Sequence, residues 1–209
     1  MQNNDELIYG KNPVTELLKK KEGVDTVFIS ESLNPSTQNY YIALAKECGA
    51  VVKKVHPVKL KNMCGSDNHQ GIAAYASTVE YVSIAQILRN AEEKGESPFI
   101  ILCDGIEDPH NLGAIIRSAY LMGAHGVIIP KRGGVSVTSV VHKTSAGASM
   151  RLPIAKVANI AQAVRNLKEN NIFVYSADMN AQPLYKHNLT GPIALVVGSE
   201  GKGVQPLVK

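Results

Sequence analysis

The sequence is poor in aromatic residues and in cysteine. It has no Trp and 3 Phe, and aromatic residues make up 5% of the chain. This composition disfavours an RNA-binding platform built from several stacked aromatic rings. The cysteines Cys48, Cys64 and Cys103 are odd in number, far apart and never in a C-x-x-C pair. The spacing argues against a disulfide framework or a zinc ribbon, and it indicates a reducing compartment.

Long apolar segments are also missing. No run of apolar residues approaches the roughly 20 that are needed to span a bilayer. The first six residues, Met-Gln-Asn-Asn-Asp-Glu, have neither the basic start nor the apolar core of a signal peptide. From the sequence we therefore expect a soluble cytoplasmic protein.

The composition is that of a globular protein with a weak positive charge. Hydrophobic residues make up 44% of the 209 residues and charged residues 19%, which argues against general disorder. The length suffices for one large domain or two small ones. Lys and Arg number 22 against 18 Asp and Glu, so the net charge is +4. A charge of this size permits a nucleic-acid partner without requiring one.

The order of apolar segments predicts two α/β units. Residues 1–77 contain strand-like and helical segments and form the first unit, and residues 78–97 look like a linker in which Ser83 caps a short helix. From residue 98 to 209 strands and helices alternate. This alternation predicts a mostly parallel sheet with helices on both faces.

A glycine-rich segment at 198–203 follows a predicted strand that ends at Val197. Ligands of open α/β sheets bind beyond the carboxyl ends of the strands, so this segment is a candidate binding loop. Its spacing, G-x-x-G-x-G, is neither a dinucleotide fingerprint nor a P-loop. A simple strand-to-helix turn is an equally good interpretation. Because Glu200 would repel a phosphate, the loop suits a neutral or cationic ligand, or an arginine partner, better than a nucleoside triphosphate.

A polar segment at 104–111 follows another predicted strand and leads into a helix. Its acidic residues and His110 match no known metal-site spacing, so a polar loop is the favoured interpretation. Asn111 is expected to cap the helix. The apolar stripe of that helix runs through Leu112, Ile115, Ile116 and Ala119. Arg117 lies off the stripe, where it is either simply solvated or holds a phosphate.

These segments resemble a known family. Residues 104–119, DGIEDPHNLGAIIRSA, and 195–204, LVVGSEGKGV, resemble the first two motifs of the SpoU family, whose members methylate the ribose 2′-hydroxyl of tRNA or rRNA. Residues 8–14, IYGKNPV, resemble the small ribosomal-protein-like substrate-binding domain of that family. The combination is most similar to the bacterial 23S rRNA guanosine-2′-O-methyltransferases.

The resemblance implies a fold, a cofactor and site residues. It implies a SPOUT-type α/β-knot methyltransferase domain at 98–209, an RNA substrate-binding domain at 1–77, S-adenosylmethionine as cofactor, and a homodimer. The catalytic residues would be Asn111, Arg117 and Glu200. The cofactor pocket would include Gly198, Ser199 and Gly201. The methyl group of a sulfonium is already activated, so no metal is expected.

The resemblance also implies an incomplete methyltransferase domain. In the family a third motif containing Ser-Leu-Asn and a last helix follow the glycine loop, and this sequence ends at Lys209, before either. We therefore expect a domain that is truncated at its C-terminus. The role of Arg117 stays open between a base and a phosphate anchor, because a guanidinium rarely gives up its proton.

Alternative functions remain at the level of the sequence. The target could be tRNA instead of rRNA. A non-catalytic RNA-binding protein would use lysines of the first unit on phosphates; these are Lys19, Lys20, Lys21, Lys53, Lys54, Lys59 and Lys61. A dehydrogenase is a weaker alternative, since its glycine loop would follow the first strand.

Overall fold

The computed structural model describes residues 7–19, 24–76 and 79–208, which form two compact units. The first unit extends to Glu80 and the second begins at Tyr81. Each unit has its own hydrophobic core. Among the described residues, no helix combines the length and the apolar character that crossing a bilayer requires.

The first unit is a four-stranded sheet in its described part, with helices on both faces. The strands are β1 (Leu7–Tyr9), β2 (Val24–Ser30), β3 (Val51–Val55) and β4 (Ile72–Ala76), and the helices are α1 (Lys11–Lys19), α2 (Pro35–Glu47) and α3 (Pro57–Cys64). The order across the sheet is β1-β4-β2-β3. Strand β4 is antiparallel to its two neighbours, whereas β2 and β3 are parallel.

Strand β2 is buried along its whole length because both faces of the sheet are covered. Val27 and Ile29 face the core that α1 and α2 cover. Phe28, between them, faces a second cluster with Leu60 of α3. The alternation follows the two-residue period of a strand. It explains why this segment is apolar without interruption from Val27 to Ile29.

The second unit is a six-stranded parallel sheet in the part of the chain that is described. Its strands are β5 (Tyr81–Val82), β6 (Phe99–Asp104), β7 (Gly126–Pro130), β8 (Ile154–Val157), β9 (Phe173–Ser176) and β10 (Ile193–Gly198). Its helices are α4 (Ile84–Glu93), α5 (Pro109–Leu121), α6 (Ser139–Thr144) and α7 (Ile160–Glu169). The strand order is β5-β8-β7-β6-β10-β9, and every pair is parallel. The prediction of a mostly parallel sheet is confirmed.

The central strands are buried on both faces, as their continuous apolar runs predict. Ile100 and Leu102 of β6 belong to a core that also contains Leu167 of α7. Ile101 and Cys103, which point the other way, are buried as well. Helices therefore cover the sheet on both sides, and the ends of the strands are left as the accessible edges of the unit.

The structure differs from the prediction of a linker at 78–97. Strand β5 pairs with β8, and Ile87 of α4 is fully buried in the core of the second unit. The predicted cap is present, since the Ser83 side chain accepts a hydrogen bond from the Gln86 backbone N–H at 3.1 Å. Ile87 packs against Gly126 of β7, which is 39 positions further along the chain. Local charge pattern therefore could not indicate this packing.

The burial of Cys103 leads to a prediction about thiol reactivity. Burial in the core raises the pKa of the Cys103 thiol to about 12, and burial also raises the pKa of Cys64. The thiolate is the reactive form, so neither thiol should react in the native protein near neutral pH. Cys48 is half-buried and should react first. Iodoacetamide labelling with mass spectrometry tests this, with urea-unfolded protein as the control. Rapid native labelling of Cys103 would contradict the structure.

Candidate active site

The topology brings the two candidate segments together. From β6 the chain adds β7 and β8 on one side, and it later adds β10 on the other side. The sheet therefore has a switch point between β6 and β10, where a crevice opens beyond the carboxyl ends of the strands. In the register of the two strands Asp104 lies opposite Gly198. The polar segment after β6 and the glycine loop after β10 thus begin side by side.

The polar segment ends in the first turn of α5. Asp108 is the N-cap, and its side chain accepts a hydrogen bond from the His110 backbone N–H at 2.8 Å. Pro109 occupies the first turn, where its missing N–H costs nothing. The prediction of Asn111 as the cap is therefore wrong, because Asp108 takes that position. Asn111 lies inside the helix instead, with its side chain available for other contacts.

Most of the predicted apolar stripe of helix α5 is buried inside the second unit. Leu112, Ile116 and Ala119 are buried. Gly113 is also buried, and a Cβ there would overlap the Thr144 side chain of α6. The two helices can approach this closely only because position 113 has no side chain. This packing fixes the first turn of α5, and with it the backbone of Asn111.

The glycine loop is a tight turn that closes on itself. The Gly203 backbone N–H donates to the Ser199 carbonyl oxygen at 2.8 Å. A Cβ at Gly198 would overlap the backbone of Gly203 and Val204. Gly203 has a φ of +65°, which is in the left-handed region that favours glycine. The backbone therefore requires glycine at positions 198 and 203, and the tip of the loop between them is left exposed.

Two predicted catalytic residues meet beside this loop. The Asn111 Nδ2 donates to the Glu200 Oε2 at 3.4 Å, although the two residues are 89 positions apart. They line a cleft of about 290 Å³. Its other lining residues are Gly105, Ile106, Glu107, Asp108, Ser199, Gly201 and Lys202. The structure thus brings together Asn111, Glu200, Ser199 and Gly201, with Gly198 at the base of the loop.

Arg117 does not line this cleft. It is exposed on α5, six residues beyond Asn111, which is a displacement of about 9 Å along the helix axis. Among the described residues, its guanidinium has no ion-pair or hydrogen-bond partner in this structure. Its position off the apolar stripe agrees with the sequence pattern, and its catalytic role stays a prediction.

A second cleft of about 180 Å³ lies next to the first, and Gly105 lines both. Asp104, Arg132 and Gln205 are among the residues that supply its polar groups. Its remaining lining residues are Pro130, Gly133, Ala158, Asn159, Ile160, Ala161, Leu207 and Val208. The sequence analysis did not single out Arg132 or Gln205. The only available signal was that Arg132 closely follows a strand that ends at the same edge of the sheet.

Comparisons with known proteins agree with this geometry. The family model described as SpoU rRNA Methylase family matches residues 98–209. The model described as RNA 2′-O ribose methyltransferase substrate binding matches residues 7–82. YacO of Bacillus subtilis carries the name of a TrmH family tRNA/rRNA methyltransferase. It is 39% identical to this chain over 211 residues, and the alignment covers 100% of this chain and 84% of YacO.

Solved structures show the same fold. The SpoU methyltransferase AviRb from Streptomyces viridochromogenes, in complex with the cofactor AdoMet, has a TM-score of 0.54 at 20% identity, covering 96% of this chain and 75% of its own. An AdoMet-bound rRNA methyltransferase from Sinorhizobium meliloti has a TM-score of 0.50 at 19% identity, with 96% and 72% covered. The predicted SPOUT-type fold class is confirmed. With both family models matched along the sequence, the chain belongs to the SpoU family of RNA methyltransferases.

Proposed function

We propose that this protein transfers a methyl group from S-adenosylmethionine to a ribose 2′-hydroxyl of structured RNA, specifically a guanosine of 23S rRNA. The observation that supports this most directly is the contact between Asn111 and Glu200 beside the glycine loop. It joins the two segments that resemble the first two SpoU motifs in one cleft.

The residues around the clefts fit S-adenosylmethionine. The relatives of known structure named above were solved with this cofactor. A Cβ built at Gly201 would meet nothing within 4 Å, so there is open space next to the loop backbone. The Glu200 carboxylate favours a cation over a phosphate. The bound cofactor would supply an activated methyl group, whose carbon bonds to the 2′-oxygen as the carbon–sulfur bond breaks and its electron pair goes to sulfur.

The protein's own residues would orient the 2′-hydroxyl and accept the proton that it loses during methyl transfer. Asn111 holds the Glu200 carboxylate at one side of the cleft. The carboxylate can accept the proton that the 2′-hydroxyl loses. Arg117 carries a permanent positive charge, and we assign it to the neighbouring phosphate, which it can grip bidentately. Holding the acceptor in line with the methyl group supplies a large part of the rate.

The first unit would contribute to RNA binding. The substrate-binding family model matches residues 7–82, and all but the last two of these lie in the first unit. Lys53, Lys54 and Lys59 are exposed in it, whereas the Lys61 ammonium forms an ion pair with Asp67 at 2.8 Å. The predicted Lys20 and Lys21 lie outside the described residues. Exposed lysines on one compact unit can neutralise phosphates of a folded RNA.

We also propose that the protein works as a homodimer. Leu121 and Met122, at the end of α5, are exposed by 72% and 62%. A subunit interface over these two side chains would remove their apolar surface from water. Sedimentation velocity should give twice the mass of the chain, and a monomer at micromolar concentration would contradict the proposal.

Tritium transfer from methyl-labelled S-adenosylmethionine tests the main proposal. Purified 23S rRNA, 16S rRNA and tRNA lacking modifications serve as substrates. We expect label in 23S rRNA and a single guanosine linkage that resists alkaline hydrolysis, because a methylated 2′-oxygen cannot attack its phosphate. Label in tRNA would assign the alternative target. RNA binding without cofactor binding or transfer would identify a non-catalytic RNA-binding protein.

Removing the exposed lysines of the first unit should weaken RNA binding selectively. For the triple variant Lys53→Ala, Lys54→Ala and Lys59→Ala, we expect the slope of log affinity against log salt to fall in magnitude by about 2 to 3, because each phosphate contact releases about one counterion. Affinity for S-adenosylmethionine should stay unchanged. The matched control is the triple alanine variant at Lys94, Lys168 and Lys186 of the second unit. Equal slopes in both variants would contradict the assignment of phosphate contacts to these three lysines of the first unit.

A further inference from the structure

One carboxylate at the switch point is almost fully buried. Asp104, the last residue of β6, is 3% exposed. Its Oδ2 accepts a hydrogen bond from the Gln205 backbone N–H at 2.7 Å, and its Oδ1 accepts one from the Gln205 Nε2 at 3.2 Å. A buried carboxylate requires such donors, because an unpaired buried charge is costly. Both of these donors come from a single residue that is 101 positions away in the chain.

This contact joins the two ends of the glycine loop. Asp104 lies opposite Gly198, where the loop begins. Gln205 follows Gly203, where the loop ends. Val204, between Gly203 and Gln205, is 2% exposed and packs into the core of the second unit. The Asp104 carboxylate and the core of the second unit therefore hold Val204 and Gln205, which follow the loop, at the mouth of the crevice.

The tip of the loop has few contacts that could position it independently. Glu200, Gly201 and Lys202 are exposed. Within the described part of the chain, the hydrogen bond from Asn111 to Glu200, at 3.4 Å, is the one side-chain hydrogen bond of this tip. Its position is consequently set by the fixed ends of the loop. A shift of the Gln205 backbone would move the tip and separate Glu200 from Asn111.

We propose that Asp104 and Gln205 form a positioning pair that sets the glycine loop for cofactor binding and directs Glu200 toward Asn111. The inference rests on the proposed function of the same site. Neither residue needs to touch the reacting atoms. The pair acts through the backbone of the loop, so its loss weakens cofactor affinity and slows transfer together, because a misplacement of about 1 Å can cost 100-fold in rate.

Two single substitutions test the pairing, one that replaces the amide by a carboxylate and one that replaces the carboxylate by an amide. In Gln205→Glu two carboxylates face each other, and we expect the dissociation constant for S-adenosylmethionine to rise by at least about tenfold. The affinity should recover as the pH falls, since protonation of one carboxyl restores a donor. In Asp104→Asn the amide oxygen still accepts the Gln205 backbone N–H, and a rotated Gln205 amide accepts from the new NH₂ group. We expect a two- to threefold loss of affinity, smaller than that of Gln205→Glu, because both hydrogen bonds are kept but neither has a charged acceptor.

The double variant Asp104→Asn with Gln205→Glu provides the decisive measurement. The asparagine NH₂ group can donate to the new carboxylate, so affinity and kcat should return to within about threefold of the unaltered protein. Failure of the double variant to recover would overturn the pairing, as would an unchanged dissociation constant in Gln205→Glu. Should Gln205→Glu not fold, Gln205→Ala keeps the backbone hydrogen bond and should show a two- to fivefold loss. An unchanged affinity in Gln205→Ala would then overturn the inference.

Amide hydrogen exchange gives a readout without cofactor. In Gln205→Glu the backbone N–H groups of Gly203 and Gln205 should lose protection, and they should regain it in the double variant. Asp178→Asn, at an exposed turn, is the control for a carboxylate-to-amide change. If the unaltered protein neither binds S-adenosylmethionine nor transfers methyl groups, the proposed function fails, and the exchange data still decide whether the pair fixes the loop.

Discussion

Gly198→Ala is expected to destabilise the second unit and to weaken cofactor binding strongly. The new Cβ would overlap the backbone of Gly203 and Val204, which cannot move aside as a flexible side chain could. Val204 is anchored in the core, so the strain would pass either to β10 or to the loop. We expect the free energy of unfolding to fall by about 2–3 kcal/mol, as for other overpacked sites. The dissociation constant for S-adenosylmethionine should rise at least about 100-fold.

Urea unfolding and calorimetric titration measure the two effects of Gly198→Ala separately. Gly201→Ala is the control for stability, because a Cβ there meets nothing within 4 Å and the residue has no positive φ. Its free energy of unfolding should change by less than about 0.5 kcal/mol. If Gly198→Ala were as stable as Gly201→Ala, the loop could not have the closed form described here.

Arg117→Ala is expected to reduce methyl transfer by at least about 100-fold while leaving the fold intact. The side chain is exposed and, among the described residues, has no partner whose loss would weaken the native state. The free energy of unfolding should therefore change by less than about 0.5 kcal/mol. The loss of activity would come from the missing charge at the RNA phosphate, whose removal leaves the acceptor ribose poorly placed.

Two further substitutions show what Arg117 does. Arg165→Ala removes another exposed arginine, on α7, whose guanidinium bonds to Gln162, and it should leave methyl transfer unchanged. Arg117→Lys keeps the charge but loses the bidentate geometry, so it should recover only part of the rate. Full activity in Arg117→Ala would remove this residue from the mechanism. A rate that depends on pH only when Arg117 is present would instead indicate a base.

Local patterns were enough to predict where the site lies. The apolar runs that end at Cys103 and Val197 predicted two strands whose carboxyl ends face one crevice, and the strands are indeed neighbours. The helical stripe correctly left Arg117 exposed. The cap of α5 was predicted wrongly even though the signal was present, since Asp108 followed by Pro109 is a strong helix start.

Contacts between distant segments could not be predicted in the same way. Nothing near Gln205 indicates that its side chain meets Asp104, because the contact depends on the insertion of β10 beside β6. The same holds for Ile87, whose burial made the predicted linker part of the second unit. The sequence also does not indicate why position 113 is glycine, because the reason is the close packing of α6 against it. Periodicity describes one element at a time, whereas these residues are determined by pairs of elements.

The insertion of β10 between β6 and β9 has a consequence for synthesis on the ribosome. One edge of β6, a strand buried on both faces in the finished protein, has no partner until Gly198 has been made. At about 5–20 residues per second, translation from Asp104 to Gly198 takes about 5–20 s. During that interval the nascent chain carries an open, apolar strand edge of the kind that recruits other strands. Chaperone protection of this intermediate should therefore raise the yield of active protein.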